Sequence, residues 1–140
     1  AELEATQTAI KRMGEAGIRV LVGGDYGLNI TPHGTYAKEL QYFTDYFGFS
    51  PGEALQAATK HGGEAFMPDG SLGTLEAGKI ADMVIVKGNP LEQIGVLQDA
   101  DAIAAVIKEG QIYTGLLDNH SPHQKNAEQL NQLLRARPCN

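Results

Sequence analysis

Residues 18–22, Ile-Arg-Val-Leu-Val, constrain the fold more than any other stretch of the chain. They are short, β-branched and nearly all apolar, and they lie between Gly17 and Gly23. That character suits a strand covered on both faces, as in parallel sheets, rather than an alternating antiparallel edge. Ahead of it, Leu3, Thr6, Ile10 and Met13 fall at helical spacing, with Gly17 where a C-terminal cap belongs. A helix, a tight glycine turn and a buried strand make the second half of a βαβ unit. No partner strand is visible in the residues after it, and unpaired buried N–H and C=O groups are costly. The edge of 18–22 therefore invites pairing, so a partner or a homo-oligomer is expected.

Downstream, Gly23-Gly24-Asp25-Tyr26-Gly27 leads into a polar loop through Pro32-His33-Gly34. A second helix is expected from about Tyr36 to Phe47, ended by Gly48. Ser50-Pro51-Gly52-Glu53 reads as a capping box, opening a helix that Gly62-Gly63 interrupts or ends. From Pro68 glycines and prolines punctuate shorter segments. Met83–Val86 and Ile103–Ile107 are strand-like, and Gln111-Ile112-Tyr113 returns after the Glu109-Gly110 turn as a hairpin. A tail from Ser121 places Ala127, Leu130 and Leu134 at helical spacing. The fold class is thus α/β followed by a small all-β module and a C-terminal helix.

Charge and cysteine narrow the function. Eleven basic against 17 acidic residues give a net charge of −6, and the basic residues are scattered. Nucleic acid and anionic membrane are therefore not expected as partners. No apolar run approaches the ~18–20 residues that span a bilayer, and Ala1-Glu2-Leu3-Glu4 is not a secretory signal. The single cysteine, Cys139, forms no internal disulfide. A cytoplasmic protein is expected. The start is acidic and helical without an initiator Met, as if more chain lay upstream.

Asp25 is the most informative position. It lies just past the carboxyl end of 18–22 among glycines, where α/β folds collect functional groups and where ligand or metal approaches backbone closely. A carboxylate there can ligate a divalent cation or act as a general base. The plainer alternative is that Asp25 caps a turn with its own side chain. His33 follows in the next loop and can face the same pocket. His61 is read as capping helix carbonyls, and His120 and His123 as exposed tail histidines, since Pro122 precludes a regular helix around them. Neither a phosphate loop, a dinucleotide fingerprint nor a nucleophile elbow is present.

Three stretches, in this order, resemble the metal-dependent amidohydrolase superfamily. Val22-Gly23-Gly24-Asp25, Pro32-His33-Gly34 and Glu39-Leu40 are similar to its eighth barrel strand, which ends in Gly-Thr-Asp ahead of a His-Gly and an acidic residue. Gly48-Phe49-Ser50-Pro51-Gly52-Glu53-Ala54-Leu55 with Ala57-Ala58-Thr59 resembles the helix after that strand. Gly73-Thr74-Leu75-Glu76-Ala77-Gly78-Lys79-Ile80-Ala81-Asp82 and Gly88-Asn89-Pro90-Leu91 are similar to the stretch leading into the accompanying β-sandwich. The nearest subgroups are the imidazolonepropionase-like and Xaa-Pro-dipeptidase-like hydrolases.

The resemblance implies the last βα unit of a (β/α)8 TIM barrel over residues 1–66, β-sandwich strands over 67–115 and a helical tail over 116–140. It implies one or two divalent metal ions, usually zinc, and hydrolysis of an amide, peptide or cyclic amide bond. The eighth-strand aspartate of the family contacts the metal, takes a proton from the water the metal activates and passes it to the leaving group. That role falls on Asp25, and a substrate contact falls on His33. Gly24 stands where the family usually has Thr. The His-x-His of the first strand, the bridging Lys of the fourth and the histidines of the fifth and sixth have no counterpart here.

A whole barrel takes ~250 residues, and a zinc site takes about three or four protein ligands. The resemblance therefore implies that the N-terminal barrel portion of the same enzyme is the partner, the substrate being a small amide or peptide. This chain alone is expected to be inactive. The other expectation is a non-catalytic interaction fragment that docks through its unpaired strand edge.

Overall fold

The computed structural model describes residues 2–115. Helix α1 (Glu2–Glu15) follows the apolar spacing seen in the sequence and stops at Gly17, whose φ of 73° is left-handed. Gly17 and Ile18 donate their N–H groups to the carbonyls of Gly14 and Met13 at 3.0 and 2.9 Å. None of the α1 side chains is buried, and Leu3 and Met13 stand exposed.

Residues 18–22 carry no ladder, which corrects the strand expected there. The physical reason is the one the sequence already contains: a parallel strand forms only between neighbours, and the described residues offer none. The alternation of a strand survives only over residues 20–22. Val20 and Val22 pack on the core and Leu21 between them is 42% exposed, while Ile18, which shares the valines' parity, is 56% exposed. Cover on both faces is therefore also corrected to cover on one. Without a strand, the edge on which self-association was expected is not formed here.

Helix α2 (Lys38–Phe47) ends at Gly48, φ 76°, and the N–H groups of Gly48 and Phe49 both point to the Phe43 carbonyl. Helix α3 (Pro51–Gln56) begins with the expected capping box. The Glu53 N–H donates to the Ser50 hydroxyl at 3.3 Å, and the Ser50 N–H and hydroxyl donate back to the Glu53 carboxylate at 2.8 and 2.7 Å. Those bonds, the backbone one first, hold the Glu53 carboxyl below its ordinary pKa.

A depressed acid stabilises fully above its unfolded pKa, and that contribution fades as pH falls through the lower folded value. The stability difference between the wild type and Glu53→Gln should accordingly be present at about pH 6 and shrink towards about pH 3. Thermal unfolding of both proteins across that range measures it, and a constant difference would show that the titration carries none of the cap.

Gly62-Gly63 neither breaks nor ends the helix. The chain continues through a π-helical turn (Ala57–His61) into α4 (Gly62–Phe66). Gly63 serves a close approach instead: a Cβ there would lie 2.6 Å from the Leu72 carbonyl oxygen and 2.7 Å from the Gly73 Cα. Gly73 answers it with a φ of 97° and a would-be Cβ 2.5 Å from the Thr59 carbonyl oxygen. Two backbones cross there with no room for a side chain.

The all-β part is a three-stranded antiparallel sheet in the order β1 (Met83–Val86), β2 (Ile103–Lys108), β3 (Gln111–Gly115). Met83 pairs with Ile107, and Lys108 with Gln111. Glu109 and Gly110 turn the hairpin with φ of 51° and 79°, a pairing of positive angles that matches strand twist. The Asp82 carboxylate accepts the Glu109 N–H at 2.7 Å and fixes the turn to the run into β1.

The core joins Leu40, Phe43, Ala54, Ala57 and Ile94, with Val20, Val22, Phe47, Phe49, Leu55 and Leu97 against it. Between α3–α4 and the sheet lies a mostly apolar cleft of about 960 Å3, lined among others by Leu55, Leu72, Val84 and Val106. The tail helix with Ala127, Leu130 and Leu134, together with His120, His123 and Cys139, lies outside the described residues.

Candidate active site

Val20 and Val22 anchor the segment to the core, so the glycines after them leave the protein at a fixed point. The Gly23 N–H donates to Glu39 Oε1 at 3.1 Å, tying the segment to the first turn of α2. Arg19 forms an ion pair with Glu64 of α4 on the other side. Asp25 then stands exposed. Its backbone carbonyl accepts the Thr31 hydroxyl at 2.6 Å. Among the described residues its carboxylate takes part in no hydrogen bond or ion pair, so the turn-capping alternative is not what the chain adopts.

Beyond it the loop closes on itself. The Gly27 N–H donates to the Thr31 carbonyl at 2.8 Å, and the Thr31 N–H to the Leu28 carbonyl at 3.1 Å. Gly27 has a φ of 103°, and the His33 ring covers it, Nε2 lying 3.0 Å from where a Cβ would stand. His33 Nδ1 is 2.6 Å from the Tyr36 hydroxyl. The Tyr36 ring meets Tyr26 edge-on at 4.5 Å. The Tyr26 hydroxyl reaches the Glu39 carboxylate and the Tyr36 carbonyl, each at 3.4 Å. Burial raises the Tyr26 phenol above its ordinary pKa, and the Glu39 charge and hydrogen bond add to that.

Asp25 and His33 thus belong to one folded loop, although no hydrogen bond joins them. His33 is turned to Tyr36 and Gly27. His61 sits inside the continuous helix with helical dihedrals and no side-chain hydrogen bond to a carbonyl, so its expected capping role is corrected. Glu39 and Tyr26 join the site without a role that their sequence context alone assigns. The available signal is an acid in the first turn of a helix directly after a glycine-rich loop, where the helix dipole favours it.

Neither Asp25 nor His33 lines the large apolar cleft. Among the described residues no three His, Cys, Asp or Glu side chains are grouped to hold a metal ion. No described helix is long and apolar enough to cross a membrane.

The amidohydrolase family matches residues 2–113. The chain belongs to that family. It is 37% identical over 114 residues to ochratoxinase of Aspergillus niger, a match covering 81% of this chain and 22% of that protein. To imidazolonepropionase of Symbiobacterium thermophilum it is 30% identical over 110 residues, covering 79% and 26%. The crystal structure of a Xaa-Pro dipeptidase with bound methionine in the active site superposes with a TM-score of 0.67 at 34% identity, covering 78% of this chain and 25% of that one. The chain therefore shares its mixed helix and strand architecture with amidohydrolase-family hydrolases and spans about a quarter of their length.

Proposed function

We propose that this chain is the C-terminal portion of a metal-dependent hydrolase that cleaves a C–N bond of a small amide, peptide or cyclic amide. Residues 1–66 end its (β/α)8 barrel and residues 67–115 supply strands of its β-sandwich. The N-terminal barrel portion of the same enzyme completes the site. In that enzyme 18–22 becomes the eighth strand, paired with neighbours outside this chain, and Leu21 and the α1 face are covered. The reading extends to the cytoplasm as its place.

The observation that carries this is the Asp25 carboxylate, exposed and, among the described residues, unpartnered at the end of a segment held by the core, by Glu39 and by Arg19. A carboxylate with no internal partner, fixed among glycines, fits one metal ligand or one proton acceptor. Among the described residues the donors fit one ligand of the set, and in this reading the others belong to the rest of the enzyme. When bound, such an ion, zinc by the family resemblance, would lower the pKa of water towards neutrality and polarise the scissile carbonyl. Asp25 takes the proton of the attacking water and returns it to the leaving nitrogen. A substrate contact falls on His33, whose exposed ring is held by Tyr36 and lies against Gly27.

The reading frame upstream of Ala1 and the intact mass of the natural product test this assignment. A frame encoding His-x-His, with a product several times the length of this chain, is expected. A start codon directly ahead of Ala1 would overturn it.

A further inference from the structure

We propose that Glu39 is the positioning residue of the Asp25 segment, acting through the Gly23 N–H on one side of Asp25 and the Tyr26 hydroxyl on the other. The proposal rests on the assignment of Asp25 as proton acceptor. Asp25 hangs between residues 23 and 26, and one carboxylate spans both. Oε1 accepts from Gly23 at 3.1 Å, and Oε2 faces the Tyr26 hydroxyl at 3.4 Å.

The clasp closes across Gly24. A Cβ on Gly24 would lie 2.6 Å from Tyr26 Cε2 and 3.1 Å from Glu39 Oε2, so glycine lets ring and carboxylate stand this close without either side chain shifting. Tyr26 is held in turn by its edge-on contact with Tyr36. Glu39 itself is fixed by α2, two of whose residues, Leu40 and Phe43, are buried in the core. The contacts run from the core through α2 and Glu39 to Gly23 and Tyr26, the residues that bracket Asp25.

Three variants of the complete enzyme test it, with Asp25→Asn as the control. Glu39→Ala frees both anchors, and a misplacement of about 1 Å costs roughly 100-fold in rate, so kcat should fall by about that factor with KM changed less than about threefold. Glu39→Gln keeps an acceptor oxygen and should return kcat to within about tenfold of wild type. Tyr26→Phe removes the hydroxyl's contacts with Glu39 and with the Tyr36 carbonyl while leaving the ring on Tyr36, and a loss of several-fold is expected.

Hydrogen exchange at residues 22–26, read by mass spectrometry, should be faster by about tenfold or more in Glu39→Ala and near normal in Glu39→Gln, because local opening sets the rate. Unchanged exchange in Glu39→Ala would overturn the clasp whatever the kinetics. Faster exchange with unchanged kcat would overturn the positioning role. Normal turnover in Asp25→Asn would instead remove the assignment on which the clasp rests, and it shows in a different variant.

Discussion

Asp25→Asn in the complete enzyme is expected to lower kcat by roughly 100- to 10,000-fold, the range that a positioned proton acceptor supplies. The asparagine side chain has nearly the same shape, and the aspartate carboxylate it replaces is exposed and has no partner to lose among the described residues. Nothing in the core leans on it, since the packing of the segment belongs to Val20 and Val22. Stability of the metal-free protein should therefore stay within the ±0.5 kcal/mol typical of a surface change. Steady-state kinetics with a thermal unfolding control measure both. Near-normal turnover would end the assignment, and a large drop in stability would show that Asp25 holds structure that the unpartnered carboxylate does not suggest.

The features that were legible in the sequence are the ones built from neighbours. Ser50 and Glu53 are three residues apart, and Gly48 and Gly17 end the helices beside them, so the chemistry of capping is written locally. The Glu109-Gly110 hairpin is local in the same sense. Residues 18–22 show the opposite. Their composition announces a strand, but a strand is a relation between segments, and its partners are not among the residues described. Gly63 misled for a related reason. It lies in the helix because Gly73 crosses it, a contact ten positions away that no helical periodicity encodes.

The candidate site divides along the same line. Asp25 was legible from its glycines and its place after an apolar run. The link from Gly23 to Glu39 spans 16 residues and the link from Tyr26 to Glu39 spans 13, and both depend on how the loop folds back. The His33 contact with Tyr36 is only three residues long, yet it sits in a glycine-rich loop whose path the sequence does not dictate.

Phe43→Ala should cost about 3–5 kcal/mol, the range for emptying a buried phenylalanine site. Phe43 is 4% exposed and lies at the junction of the core. Its ring stands edge-on to Phe47 at 5.9 Å and to Phe49 at 4.9 Å, and each such pair adds about 0.5–1.5 kcal/mol beyond the area it covers. Its carbonyl also receives the N–H groups of Gly48 and Phe49, so the backbone that turns the chain from α2 into α3 is bound to this residue and resists collapse into the void.

The cavity should consequently persist, which puts the cost towards the upper part of that range. Denaturant unfolding of the complete enzyme, read by hydrogen exchange in α2, measures it. Phe43→Leu, which refills part of the space, should recover more than half of the loss. Val20 and Val22 rest on this same cluster, so loosening it also loosens the point from which Gly23 and Asp25 depart. Activity measured well below the unfolding transition should therefore fall in Phe43→Ala while the protein is still folded. Full activity there would show that the clasp at Glu39 holds Asp25 without help from the core.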